Sequence, residues 1–107
     1  MKEITHITPD GVHYVDDAGN PQFIDFATCS QNYVMSMAKS RGSSFTDEDR
    51  AFWQRGKFVA RRHTWSEPPN IVFYTEPPIY FEFPTRDDVW KVASQIKRAG
   101  WRTNDGE

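Results

Sequence analysis

KFVARRHTW (57–65), NIVFYT (70–75), IYFEF (79–83) and TRDDVWKVASQIKRAGW (85–101) are four runs separated by proline turns, and their reading decides the fold. The first three read as strands and the last as an amphipathic helix. In the last run Thr85 stands where an N-cap is needed, with Asp88 three residues on as a short-armed capping box. Asp87 and Asp88 load the first turn with negative charge, while Lys97 and Arg98 load the last with positive charge, as the helix dipole prefers. Val89, Val92, Ala93 and Ile96 recur at helical spacing. Gly100 is placed to end the element in a left-handed conformation, with Trp101 folding back towards Ile96. These signals predict a helix over 86–99.

The two runs before it predict a hairpin across Glu76-Pro77-Pro78, because proline cannot donate to a strand ladder and so belongs in the connection. Ile71, Phe73, Ile79, Phe81 and Phe83 fall into two sets whose relative face depends on register. Neither strand has a clearly polar side. Either both faces of the sheet are covered, or an aromatic face is left open to a partner.

Working outward, residues 4–26 read as a further hairpin, with turn signals at Asp10-Gly11 and from Asp16 to Pro21. Val12, Tyr14, Phe23 and Phe26 are its expected inward residues, Ile24 competing with Phe23. Residues 27–41 hold neither Gly nor Pro, and Phe26, Cys29, Tyr33 and Met37 fall at helical spacing between Asp25 as a cap and Gly42 as a stop. That reads as a helix, although Tyr33, Met35 and Met37 also alternate as a strand would. Thr46 with Asp49 opens a second short helix near 47–55 that Gly56 would end. The expected fold class is therefore α+β. An antiparallel sheet of four to five strands would carry the C-terminal helix on one face, with one or two shorter helices beside it. Residues 1–102 would form a single domain and residues 103–107 a flexible polar tail.

A chain of 107 residues with 15% aromatic content can bury a core without disulfides or metal. No apolar run approaches the ~20 residues needed to cross a bilayer, and the start of the chain lacks the apolar segment of a secretory signal. The lone Cys29 excludes an internal disulfide. A cytoplasmic setting is the expectation.

Several chemistries are weakly provided for. His6 and His13 lie near Asp10, Asp16 and Asp17, but at a spacing foreign to zinc sites, so no metal or cofactor is expected. Cys29, His63 and Asp25 could in principle make a nucleophile, base and orienting carboxylate, yet the residues flanking Cys29 match no nucleophile motif. The glycines are scattered singly and form no phosphate loop. No catalytic residue is assigned, and the chain is not expected to be an enzyme.

Binding is the reading that remains. Residues 1–49 carry three Lys/Arg against eight acids, a formal charge of -5; residues 50–107 carry ten against seven, or +3. Such asymmetry can offer different partners to different sides. Trp, Tyr and Arg dominate interface hot spots, which nominates Trp53, Arg61, Arg62, Trp65, Tyr74 and Tyr80, with Asp16 and Asp17 as an acidic alternative. The expected function is non-catalytic binding of another protein, as an inhibitor of the immunity, antitoxin or anti-defence kind.

Nucleic-acid binding is the first alternative. From Arg50 to Trp65 cations interleave with Phe52, Trp53 and Phe58, as backbone neutralisation and base stacking require. The order strand–strand–strand–helix resembles that of double-stranded RNA-binding domains in topology alone, because the helix lacks a cluster of lysines at its start. An isoelectric point near 5.9 also argues against a polyanion. A small ligand or nucleotide held between the aromatic sheet face and the 27–41 segment is the second alternative.

Overall fold

The computed structural model describes residues 1–106, and its elements follow the chain in a simple order. Strands β1 (Glu3–Thr8), β2 (Gly11–Val15) and β3 (Pro21–Asp25) precede helix α1 (Phe26–Arg41), a 3-10 turn (Gly42–Ser44) and helix α2 (Asp47–Gly56). Strands β4 (Phe58–His63), β5 (Asn70–Phe73) and β6 (Ile79–Glu82), helix α3 (Arg86–Arg98) and strand β7 (Arg102–Asp105) complete it. The class is α+β, but the expected single sheet is in fact two. One has three strands in the order β1-β2-β3, the other four in the order β6-β5-β4-β7. The separation has a local cause. Asp25 ends β3 and at once caps α1, its carboxylate accepting from the Thr28 N–H at 3.0 Å, so the chain leaves the first sheet before another strand can add.

Strand register resolves the ambiguous faces. Ile71 pairs with Phe81 and Phe73 with Ile79, which turns this set inward and turns Val72 and Tyr80 outward. In the first sheet Val12 pairs with Ile24 and His13 with Phe23. Ile24 is therefore the buried residue and Phe23, expected inside, is 47% exposed. The inward residues of both sheets meet in one core with Phe26, Cys29, Val89 and Ile96. Tyr14 of β2 meets Phe81 of β6 edge-on at 5.0 Å, so the sheets pack across that core.

The helices form where their signals lie. Residues 26–41 are helical, and Phe26, Cys29, Tyr33 and Val34 are the buried stripe of α1. Thr46 and Asp49 make a reciprocal capping box on α2. That helix includes Gly56 rather than stopping before it, and Lys57 takes the left-handed position at φ 53°. Glycine at 56 is needed for another reason, since a Cβ there would meet the Phe58 ring at 2.8 Å. Helix α3 ends in a Schellman arrangement. Gly100 has φ 97°, its N–H donates to the Lys97 carbonyl at 3.0 Å, and the Trp101 N–H donates to Ile96 at 3.1 Å. The Trp101 indole N–H reaches back to donate to the Pro9 carbonyl at 2.8 Å, tying α3 to the β1–β2 turn.

The expected C-terminal tail is the largest correction. Residues 102–105 form β7, which lies parallel to β4 at the sheet edge. The Arg62 guanidinium donates to the Thr103 carbonyl at 2.7 Å and to its hydroxyl at 2.6 Å. The Tyr74 hydroxyl donates to the Asn104 side chain at 2.7 Å. Glu107 lies outside the described residues.

Candidate binding face

The outer face of the four-stranded sheet is built by register. Asn104 of β7 pairs with Arg61 of β4, Arg61 with Val72 of β5, and Val72 with Tyr80 of β6. One row thus crosses all four strands, followed by a second of His63, Asn70 and Glu82. Helix α1 borders this face, and Asn32 is fixed there by donating its side-chain N–H to the Tyr74 carbonyl at 2.8 Å.

The result is a groove of about 390 Å³ whose lining includes Asn32, Ser36, Arg61, His63, Tyr74 and Tyr80. The Arg61 guanidinium lies 5.9 Å from the Tyr74 ring centroid. Burial pushes the Tyr74 hydroxyl above the ordinary phenol range, although Arg61 beside it acts in the opposite sense. Tyr74 therefore stays neutral and acts as a fixed wall bonded to Asn104. Tyr80 is 53% exposed and presents its ring to solvent. Beyond it the face continues into a shallow hollow of Met1, Lys2, Asp17 and Glu82.

Of the eight residues nominated from the sequence, Arg61, Tyr74 and Tyr80 converge in the groove, and Asp17 lies in the adjoining hollow, its carboxylate paired with the Met1 ammonium at 3.1 Å. The other four go elsewhere. Arg62 points to the opposite side of β4, half-buried, with its guanidinium 4.7 Å from the Trp90 ring centroid. Trp65 lies past the end of β4, where the Arg86 guanidinium covers its ring at 3.8 Å. Trp53 packs edge-on to Tyr33 at 5.9 Å, in the α1–α2 contact. Asp16 serves its own turn, accepting from the N–H groups of Asn20 at 2.9 Å and Ala18 at 3.0 Å. Those bonds, Asn20 foremost, hold its carboxyl below the ordinary range. Alternation along a straight strand would put Lys57 and Arg61 on one side. The left-handed Lys57 and a register shift between Phe58 and Ala60 separate them, placing Lys57 over Trp101 at 5.3 Å. Asn32, Ser36, Glu76 and Glu82 were not singled out as part of any binding surface. They belong to the face only because of register and the position of α1.

Of the other chemistries weighed, Cys29 has no exposed surface, and burial pushes its thiol up to about 12. Asp25, weighed as the carboxylate that could orient His63, is engaged as the cap of α1, where it also accepts from the Thr28 hydroxyl at 2.7 Å. Among the described residues no group of three or more His, Cys, Asp or Glu side chains is placed to hold a metal ion. Among them, too, no helix is long and apolar enough to cross a membrane. No family model, curated protein or solved structure matches the chain.

Proposed function

We propose that this protein is a non-catalytic binding module, acting as a small dedicated inhibitor, that engages another protein through the outer face of its four-stranded sheet. One observation carries the reading. The face gathers Arg61, Val72 and Tyr80 in one cross-strand row walled by the half-buried Tyr74, with Arg61 and Tyr80 exposed to solvent, while its reverse side is the core. Exposed Tyr and Arg around a concave centre are what hot spots are made of.

The charge around the patch favours a protein over a nucleic acid. Glu76 lines the groove with Arg61, and Glu82 lies with Tyr80 in the adjoining hollow, an arrangement that disfavours a polyanion but suits a surface of mixed sign. The basic residues that suggested nucleic acid are spread over several surfaces: Arg50 covers Phe45, Lys57 covers Trp101 and Arg62 turns towards Trp90. They make no continuous stripe.

The test is capture from a lysate of the source cells, with immobilised wild type, Arg61→Glu and Tyr80→Ala, before and after nuclease treatment. The expected result is a protein that survives nuclease and is retained ~30-fold less by either variant, as loss of a hot spot of about 2 kcal/mol implies. Retention that vanishes with nuclease, or that is equal in all three proteins, would sink the reading.

A further inference from the structure

Two open sheets leave four edges, and three of them are blunted in familiar ways. Strand β1 carries a register shift between Ile4 and His6, which sets His6 against His13. Strand β3 begins at Pro21 and runs straight into the cap of α1. Strand β7 is polar throughout. Strand β6 is different: it is regular, rich in apolar residues, and bonded to β5 alone.

Two hydrogen bonds fix which backbone groups of β6 face its open side. The Phe83 N–H donates to the Pro69 carbonyl at 2.9 Å, and the Tyr74 N–H to the Val59 carbonyl at 3.1 Å. Bonded pairs recur at every second residue of an antiparallel ladder. Ile71 and Phe73 of β5 therefore bond to Phe81 and Ile79 of β6, while Asn70 and Val72 bond to β4. Tyr80 and Glu82 are left turning their N–H and C=O groups outward, two donors and two acceptors that no strand of the chain meets. Both residues are exposed.

We infer that β6 pairs antiparallel with β6 of a second copy, about a two-fold axis at Phe81, joining two four-stranded sheets into one of eight. The segment is its own complement in one register only. With Tyr80 opposite Tyr80, Glu82 meets Pro78, which has no N–H to give. With Glu82 opposite Glu82, like charges meet and Tyr80 faces Pro84, again without an N–H. With Tyr80 opposite Glu82 of the second copy, all four outward donors find acceptors and no like charges meet. The same register sets Ile79 beside Phe83 and Phe81 beside Phe81 on the inner side, at the closer, non-bonded pairs. Ile79 and Phe83 are only partly buried in the single copy, and Phe83 lines a cavity of about 510 Å³ with Ile4 and Val92. A neighbouring strand covers what they leave exposed. The contact is small, so its dissociation constant falls on the order of 100 µM. The outer grooves of the two copies then lie side by side, whatever those grooves bind.

Sedimentation equilibrium of the full chain, from tens of micromolar to millimolar, together with amide exchange by NMR, tests the pairing. Mass should rise towards that of a dimer. The Tyr80 and Glu82 amides should exchange several-fold more slowly at the highest concentration, while the Phe81 amide stays protected throughout. Tyr80→Pro and Glu82→Pro each remove one outward N–H and leave the bonds to β5 in place. Either variant, folded by circular dichroism, should dimerise at least tenfold more weakly. Arg61→Glu, two strands from the seam, should dimerise as wild type, which separates this pairing from binding at the groove. A chain that stays monomeric at millimolar concentration would overturn the inference and leave the edge to a foreign strand. So would a dimer that the proline variants form as readily as wild type, or one in which the Tyr80 and Glu82 amides gain no protection.

Discussion

Cys29 shows how much one position depends on its surroundings. It is the sole thiol in the chain, enclosed completely by the core, and burial (with Asp25 adding to it) raises its pKa to about 12. A thiol reagent should fail to modify the native protein and should react once urea unfolds it. The linkage has a definite sign. The folded pKa lies above the unfolded one, so the contribution is intact below the ordinary thiol range near pH ~8.5 and declines as pH rises towards about 12. Between roughly pH 8.5 and 10 the wild type should lose up to about 1.4 kcal/mol of stability per pH unit relative to Cys29→Ala. Parallel denaturation curves for the two proteins would reveal an absence of that difference. Asp16 behaves in the opposite sense. Its folded pKa is depressed, so its contribution is present above the usual carboxylate range and disappears as pH falls through the folded value. Asp16→Asn should flatten the acid limb of the stability curve. The cysteine's burial could be anticipated from residue type alone. The role of Asp16 could not, because a surface carboxylate in a turn looks the same whether it binds its own backbone or a partner.

Among the elements, the helices were written into the chain and the last strand was not. Caps, terminal charges and spacing act within a few residues, so Thr46, Asp49, Thr85 and Gly100 each announce a boundary that the structure keeps. Strand β7 has no such signal. Arg102-Thr103-Asn104-Asp105 is polar throughout, and becomes a strand because β4 offers an unpaired edge and Arg62 and Tyr74 offer hydrogen bonds to it. Truncation after Trp101 should therefore destabilise the protein by several kcal/mol, each lost hydrogen bond counting for about 1 kcal/mol. Urea titration measures this, and a truncated chain of unchanged midpoint would show that β7 is dispensable. Gly100→Ala, forced to positive φ, should cost about 1 kcal/mol by the same assay.

At the level of the whole molecule, the core and the candidate face are two sides of one sheet, and substitutions should separate them. Phe73 is fully buried, so Phe73→Ala should cost about 3–5 kcal/mol and lower binding only as far as the fold is lost. Tyr80, more than half exposed, should tolerate alanine within about 0.5 kcal/mol while losing partner retention. Melting temperature and capture, measured on the same samples, distinguish these outcomes.

The chain alone determined its helices, its turns and the α+β class, because those follow from propensity, capping and local hydrophobic spacing. Only the tertiary structure decided that the strands divide into two sheets, that Ile24 rather than Phe23 points inward, and that a polar tail becomes β7. It alone also gathered Arg61, Tyr74 and Tyr80 on one face, sent Arg62 and Trp65 elsewhere, and set His6 against His13. The physical reason is common to all of these. A strand shows two equivalent faces and two unpaired edges, and which of them is used depends on a partner strand distant in the chain, where a one-residue slip or a single bulge exchanges inside for outside.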